Sequence, residues 1–511
     1  MSTATELAEN ERKKAADGRL TDREEQPAVH GTDRLHSLGV FRAFAMIACL
    51  LVTATPTHAT SNRQTLPGNQ TRWSAAVPKQ QRDGVAAAPT VAECRPPTTA
   101  GSAGKADLEH NLSLDIVERY ATEHNPSIRA AFYAWQAALQ RITQQRSYEN
   151  PTVTYMPDTG NMAETRAGPQ TNGFGISQAI PFPGKLTLSG KVAEEQAKAA
   201  QESFSVVSQE TFRRLWVAYA QFYFAERALE VNAESTVLAR QFAAIAAAKY
   251  KVAKVPEEDV IQAQEEISRL ATQRIEFDRQ RNTAVGALNT LLDRTPRAPL
   301  GRPMEMATAE LKVSLDTLVQ EARAARPEIR AESHLVEARE HSVALAKMGY
   351  LPDFSVGGQY IGIDGHMGVP HFNRDGHDVW AASLEISVPI WVDRVKARLD
   401  ETSAELQQEK FMRRDVEDTV NDQIQDAYER LTAAARNETI YRTTLLPQTA
   451  ERIRAGQAGY QTGTVDFLTL IDSLKSYEDV RLLDYESVRT YQTAGADLTR
   501  AIGKPISGIV K

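Results

Sequence analysis

His366, His371 and His377 stand close to Asp364, Asp375 and Asp378 in one short stretch of the chain, and imidazoles with carboxylates are the ligand set of zinc and copper. The stretch reads as a loop between two strands, where ligands are not held in advance, so it is taken as solvated and no metal is assigned to it. His334 and His341 lie seven apart on one predicted helix and are read as packing residues. There is no His-Glu-x-x-His pair, no glycine-rich phosphate loop and no nucleophile elbow. Without convergent His, Cys or Ser groups the chain is not expected to be an enzyme or to carry a cofactor.

The elements around these residues are long and mostly helical. Aromatics make up only 7 % of the 511 residues, and no internal stretch offers the ~20 apolar residues of a membrane-spanning helix. A net charge of −7 without basic clusters gives no reason to expect a nucleic-acid partner. Near the N-terminus, residues 41–54 form an apolar run behind Arg42, followed by Thr57-His58-Ala59. It is too short to span and ends in small residues, so residues 1–59 are read as an N-terminal extension and secretory signal, with a buried apolar helix as the alternative. The two cysteines, Cys49 in that signal and Cys94 beyond it, cannot bridge within the mature chain, and Glu93 before Cys94 does not suit lipid attachment. Residues 60–107, rich in Pro, Ala and Thr, read as a flexible linker.

The rest of the chain repeats. Asn125-Pro126-Ser127-Ile128-Arg129-Ala130 returns as Arg326-Pro327-Glu328-Ile329-Arg330-Ala331, and Asn150-Pro151-Thr152-Val153 returns as Leu351-Pro352-Asp353-Phe354. Ile180-Pro181 answers to Val388-Pro389, and Tyr250 with Val255 to Tyr460 with Val465. This divides the body into halves at 108–300 and 301–505, with a tail at 506–511, and a period this long is a duplicated half rather than a solenoid repeat. Each half reads as helix, strand, strand, long helix and long helix. Strands follow from alternation: Trp380, Leu384 and Ile386 face away from Ser383 and Glu385, and Phe174 and Ile176 away from Gly175 and Ser177. Between Gly190 and Pro256 there is no glycine or proline, and about 60 helical residues would reach roughly 90 to 100 Å. An antiparallel return helix is expected from Glu257 towards Leu292, and the second half repeats the pair from about Asp393 to Arg454, with Pro447 inside it, and from Asp466 to Ile502. Helices of such length are normally packed as coiled coils.

Strands with one apolar and one polar face suit a wall between lipid and water. In lipid they must close into a barrel, and about eight strands is the minimum, so four require several copies of the chain. A small sheet capping a soluble helical bundle would alternate in the same way, and that possibility stays open at this point.

Gly175-Ile176-Ser177-Gln178-Ala179-Ile180-Pro181-Phe182-Pro183-Gly184-Lys185-Leu186 resembles the strand-to-helix junction of TolC-family outer-membrane channels. Proline cannot donate to a ladder but is tolerated in a helix's first turn, which accounts for Pro181 and Pro183. The second copy has Pro389 without the Pro-Gly-Lys, so Gly184 and Lys185 are needed once. The run from Tyr460 through Gly463 to Ser473 is similar to the family's periplasmic helix-turn-helix, and the resemblance covers about residues 112–504.

The family implies a mainly α fold with a small β part, in which three chains close a twelve-stranded β-barrel that continues into a coiled-coil α-barrel tunnel. It implies a passive exit duct in the outer membrane of a Gram-negative bacterium, reaching into the periplasm. There it would work with a periplasmic adaptor and an inner-membrane pump of RND type, for metal cations or small toxic compounds. A type I protein secretion duct is the alternative, and a soluble periplasmic coiled-coil scaffold the alternative outside the family. The Pro-Phe-Pro-Gly-Lys junction is most similar to channels of the heavy-metal branch. Asp472 falls on a family gate position, Thr469 replaces its acidic companion, and Asp466 nearby is better read as a helix N-cap. Tyr250, Val255, Tyr460 and Gly463 fall on the adaptor-contacting tips. Trp380, Leu384, Ile386, Phe174 and Ile176 would face lipid.

Overall fold

The computed structural model describes residues 108–158, 164–165, 168–309, 311–365 and 376–505. The signal, the linker, both cysteines, the 506–511 tail, His366, His371 and Asp375 lie outside the described residues. Of the two compact units into which the chain divides, 1–85 and 86–511, every described residue belongs to the second.

The elements run β1 (Asn111–Leu112), α1 (Leu114–His124), α2 (Pro126–Arg146), β2 (Thr152–Met156), β3 (Glu164–Thr165), β4 (Gly168–Ile180), α3 (Lys185–Lys251) and α4 (Glu257–Leu291). They continue with β5 (Arg302–Pro303), α5 (Leu315–Ala325), α6 (Pro327–Lys347), β6 (Asp353–Ile363), β7 (Val379–Ser387), α7 (Val392–Ile440), α8 (Leu446–Thr462) and α9 (Phe467–Ile502). α1 and α5 are both 11 residues long and open on a serine N-cap, Ser113 and Ser314, whose hydroxyls accept a first-turn N–H. α2 and α6 are both 21 residues long with proline at the first position, where its missing N–H is harmless.

α3 is 67 residues of unbroken helix, so it extends about 100 Å. The helix expected over 393–454 runs on to Thr462, but a five-residue π turn, Tyr441–Leu445, divides α7 from α8. Pro447 has no N–H to give and its ring crowds the carbonyl four residues back, and the wider turn lies where that strain falls.

The sheet order is β2-β4-β6-β7, every neighbour antiparallel, with β3 against β4. β4 begins at Gly168, earlier than alternation alone marks, with an irregularity in its pairing between Gln170 and Gly173. A separate parallel pair, β1 with β5, was not foreseen, since two-residue strands leave no periodicity to read. It ties the chain just before α1 to the segment that joins α4 to α5.

α2, α3, α6 and α7 pack side by side in that order beneath the sheet, and α3 with α4 and α8 with α9 form two helical hairpins at the far end. Four apolar clusters hold these together, the smallest being Ile142 of α2 against Ala193 and Ala197 of α3. Leu215, Tyr219, Phe222 and Tyr223 of α3 meet α1, Leu288 of α4 and Val488 of α9. Val420, Ile424 and Leu431 of α7 meet α5 and Leu498 of α9. At the far end Phe242, Leu270, Tyr460, Phe467 and Leu470 join all four hairpin helices.

Candidate functional site

Register assigns every strand residue to a face, because residues directly opposite in antiparallel pairs share one. One face carries Val153 and Tyr155, Phe174, Ile176 and Ile180, Phe354, Val356 and Tyr360, and Trp380, Leu384 and Ile386. The other carries Thr152, Gly175, Ser177, Ser355, Gly357, Ser383 and Glu385. The apolar face is open to solvent in one chain, with Trp380 77 % and Leu384 66 % exposed. Gln178 is its polar exception, and its amide donates at 2.9 Å to the carbonyls of Glu149 and Ala179. The edge strands β2 and β7 have no outer partner among the described residues. No helix of the described residues is long and apolar enough to cross a membrane.

At the junction the two halves are unequal. Gly184 caps α3 with φ 102°, and a Cβ there would meet the Met348 methyl at 3.1 Å. Lys185 Nζ donates to both carboxylate oxygens of Asp353, at 2.8 and 2.9 Å, and to the Leu351 carbonyl at 3.2 Å. Asp353 also accepts the Phe182 N–H at 2.7 Å, between Pro181 and Pro183. The first half's Lys185 and Phe182 N–H thus lock onto an aspartate of the second half. Thr152, the counterpart of Asp353, offers no carboxylate, and the Pro389 turn leaves Val388, Ile390 and Trp391 exposed. A cavity of about 810 Å³ opens beneath the polar face, and Arg141, Lys185, Ser387, Arg394 and Arg398 contribute to its lining.

At the tips, Asp466 is the N-cap of α9, its Oδ1 accepting the Thr469 N–H at 2.8 Å, and these hydrogen bonds hold its carboxyl below the usual value. Asp466, Thr469 and Asp472 lie three apart on the exposed side of α9, while Phe467, Leu470, Ile471 and Leu474 face the core. Gly463 closes α8 in the left-handed conformation, φ 86°, and Ala253 takes the same conformation at the other tip, φ 57°. Tyr250 is exposed and Val255 half-buried against the far-end cluster.

Tyr460 departs from its expected place on the contact surface. Its side chain is 2 % exposed, so it has no surface to offer a partner and acts inside the tip instead. The hydroxyl donates to Asp259 Oδ2 of α4 at 2.8 Å, and burial and that carboxylate both push its pKa up, keeping it a donor. Lys249 of α3 lies 4.4 Å from the ring centre and donates to the Tyr460 carbonyl.

Other links between the hairpins escaped sequence analysis. Arg269 of α4 donates to Glu478 of α9 at 2.7 Å and to Glu266 at 2.6 Å, and Lys475 approaches Glu266 at 3.5 Å. The Glu478 side chain is 1 % exposed, and its burial raises its pKa against the pull of Arg269. Arg481 pairs with Glu234 of α3. The signal was present: Ala263, Glu266 and Leu270, like Ile471, Leu474 and Glu478, keep the 3-4 spacing of a coiled-coil core, with a carboxylate in an apolar register. Of the loop cluster, Asp378 serves the sheet, accepting Tyr360 Oη at 2.7 Å and the Ile363 N–H at 3.1 Å.

An amphipathic antiparallel sheet set on helices this long is the architecture of an outer-membrane efflux channel. The family model described as "Outer membrane efflux protein" matches residues 119–294 and 318–504, well over half of the chain. The chain belongs to that family, the TolC-like channels that its sequence resembles. It is 24 % identical over 353 residues to Protein CyaE of Bordetella pertussis, covering 65 % of this chain and 72 % of the relative. It is 23 % identical over 355 residues to the probable efflux pump outer membrane protein TtgC of Pseudomonas putida, covering 66 % and 70 %. In fold it is similar to the outer-membrane channel OprN, with a TM-score of 0.65 at 16 % identity, covering 80 % of this chain and 97 % of that one. It is similar also to CusC, with a TM-score of 0.65 at 17 % identity, covering 80 % and 96 %. Membership of a family described by efflux at the outer membrane assigns this chain an efflux role there.

Proposed function

We propose that three copies of this chain form a closed duct of twelve strands, the passive exit of a tripartite efflux system in a Gram-negative bacterium. The sheet carries this reading. Its apolar face is exposed, both its edges lack a partner among the described residues, and four strands cannot close a barrel alone. Pairing β7 of one copy with β2 of the next satisfies both edges, turns Trp380, Leu384 and Ile386 towards lipid, and turns Ser383 and Glu385 inward. The matched lengths of α1 with α5 and of α2 with α6 support a duplicated chain, so three copies present six similar units around the duct.

The two hairpins project into the periplasm, where Asp472 of each copy forms an acidic ring at the narrow end. Three such carboxylates attract cations, which pass or block there. Tyr250, Val255 and the turn at Gly463 are offered to a periplasmic adaptor, which couples the duct to an inner-membrane pump of RND type. Relatives named for toluene and antibiotic efflux pumps favour small toxic compounds as cargo over metal cations.

Single-channel conductance of the purified protein in a planar bilayer tests this. Discrete openings, blocked by divalent or trivalent cations in wild type and less so in Asp472→Ala, are expected. A protein that stays a soluble monomer without detergent would instead be a periplasmic scaffold.

A further inference from the structure

Among the described residues, one group of three metal-capable side chains converges. Glu195 of α3, His334 of α6 and Glu337 of α6 present ligand atoms that all lie within 4.8 Å of one another. His334 and Glu337 are three apart on one helix and therefore share a face. Glu195 reaches them across the seam where α3 packs along α6.

The Glu195 side chain is 9 % exposed, with Oε2 at 2.9 Å from His334 Nδ1 and Oε1 at 2.7 Å from Lys198. Burial pushes its pKa up, but the hydrogen bonds from Lys198 and His334 outweigh that and leave it below the usual value, a carboxylate. Glu337 is exposed and makes no ion pair among the described residues. Of the neighbouring carboxylates, Glu194 is held by Arg146 at 2.6 Å and Glu202 by Arg330 at 2.5 Å. Among the described residues Glu195 is ion-paired only with His334 and with Lys198, which Glu194 also approaches, so the group keeps negative charge for a cation to neutralise.

We propose that Glu195, His334 and Glu337 bind one borderline divalent ion, of the Zn²⁺, Co²⁺ or Ni²⁺ class, as a staple across the α3–α6 seam. One nitrogen and two oxygens suit such ions. Ca²⁺ asks for six to eight oxygens, and Cu⁺ for sulfur. An ion about 2.0–2.2 Å from each ligand draws the three atoms closer than they now stand, and the exposed Glu337 and half-buried His334 are free to turn inward. Lys198 has somewhere to go, since Glu194 lies 3.6 Å from its Nζ on the same helix. Water completes the coordination. Because the ligands come from both halves of the chain, the ion fastens one half to the other and stabilises the fold in proportion to its free concentration.

The test titrates CoCl₂ and ZnCl₂ into the full chain in detergent, with His366, His371 and His377 replaced by Ala to remove competing imidazoles. Expected are one Co²⁺ per chain with a saturable visible absorption band, displacement by Zn²⁺, and a higher thermal midpoint with metal. His334→Ala and Glu337→Gln should each weaken binding by at least about tenfold with helix content unchanged. Failure to bind, or Co²⁺ binding that neither substitution alters, overturns the proposal. A loss of thermal stability in His334→Ala without any change in metal binding also overturns it, leaving an ion pair alone.

Discussion

The two ends of this molecule solve opposite problems. At the sheet end, apolar side chains are exposed and, among the described residues, the outer strand edges have no partner, and in the proposed duct lipid and other copies of the chain satisfy them. At the tip end, buried polar groups find partners within one chain, Glu478 through one oxygen against Arg269 and Tyr460 against Asp259. On that proposal the sheet end becomes stable only after insertion and assembly. The tip end is held from the moment the chain folds, and whatever opens it must break bonds already made.

Substitutions at both ends sharpen that contrast. The largest effect is expected for Leu384→Arg, which puts a charge on the lipid side and should cost about 2–4 kcal/mol in vesicle refolding. Ser383→Arg, one residue along on the opposite face, should leave refolding nearly unchanged and alter only conductance. If the two behave alike, the sheet faces are not lipid and water.

At the tip, Arg269→Leu strands Glu478 and Glu266 without their guanidinium and should lower stability by about 2 kcal/mol, less than a fully buried pair because Arg269 is partly exposed. Glu478→Leu, which removes the buried charge itself, should cost under about 1 kcal/mol by chemical denaturation. Tyr460→Phe comes next, losing one hydrogen bond to Asp259, about 1 kcal/mol, and should raise the frequency of channel opening in bilayers.

The smallest effect is a pH slope. Burial lifts the Glu478 carboxyl above its ordinary 4.5, so between 4.5 and the raised value the folded tip keeps a proton that the unfolded chain has released. Stability should therefore fall as pH rises through that window. Glu478→Gln should flatten the slope in thermal melts taken across it.

The sequence made some of this plain and hid the rest, for physical reasons. Alternation at Trp380, Leu384 and Ile386 survives into the fold because a strand's period is its geometry. The absence of glycine and proline between Gly190 and Pro256 survives as α3 for a similar reason. Tyr460 misled because position in a tip does not say which way a ring turns, and this one turns inward. Lys185 with Asp353 and Arg269 with Glu478 were invisible as pairs, since each joins residues far apart in the chain and no local spacing records them. His334 looked like packing for the same reason, its partner Glu195 lying 139 positions away.

The π turn at Tyr441–Leu445 acts on phase. Two more residues lie between Pro389 and Tyr460 than between Pro181 and Tyr250. In an α-helix each added residue rotates everything after it by about 100°, which would swing Ile453 and Tyr460 out of the far-end core. A turn that holds one residue more takes up part of that surplus. Deleting a single residue within 441–445 is thus a rotation of the whole tip below it.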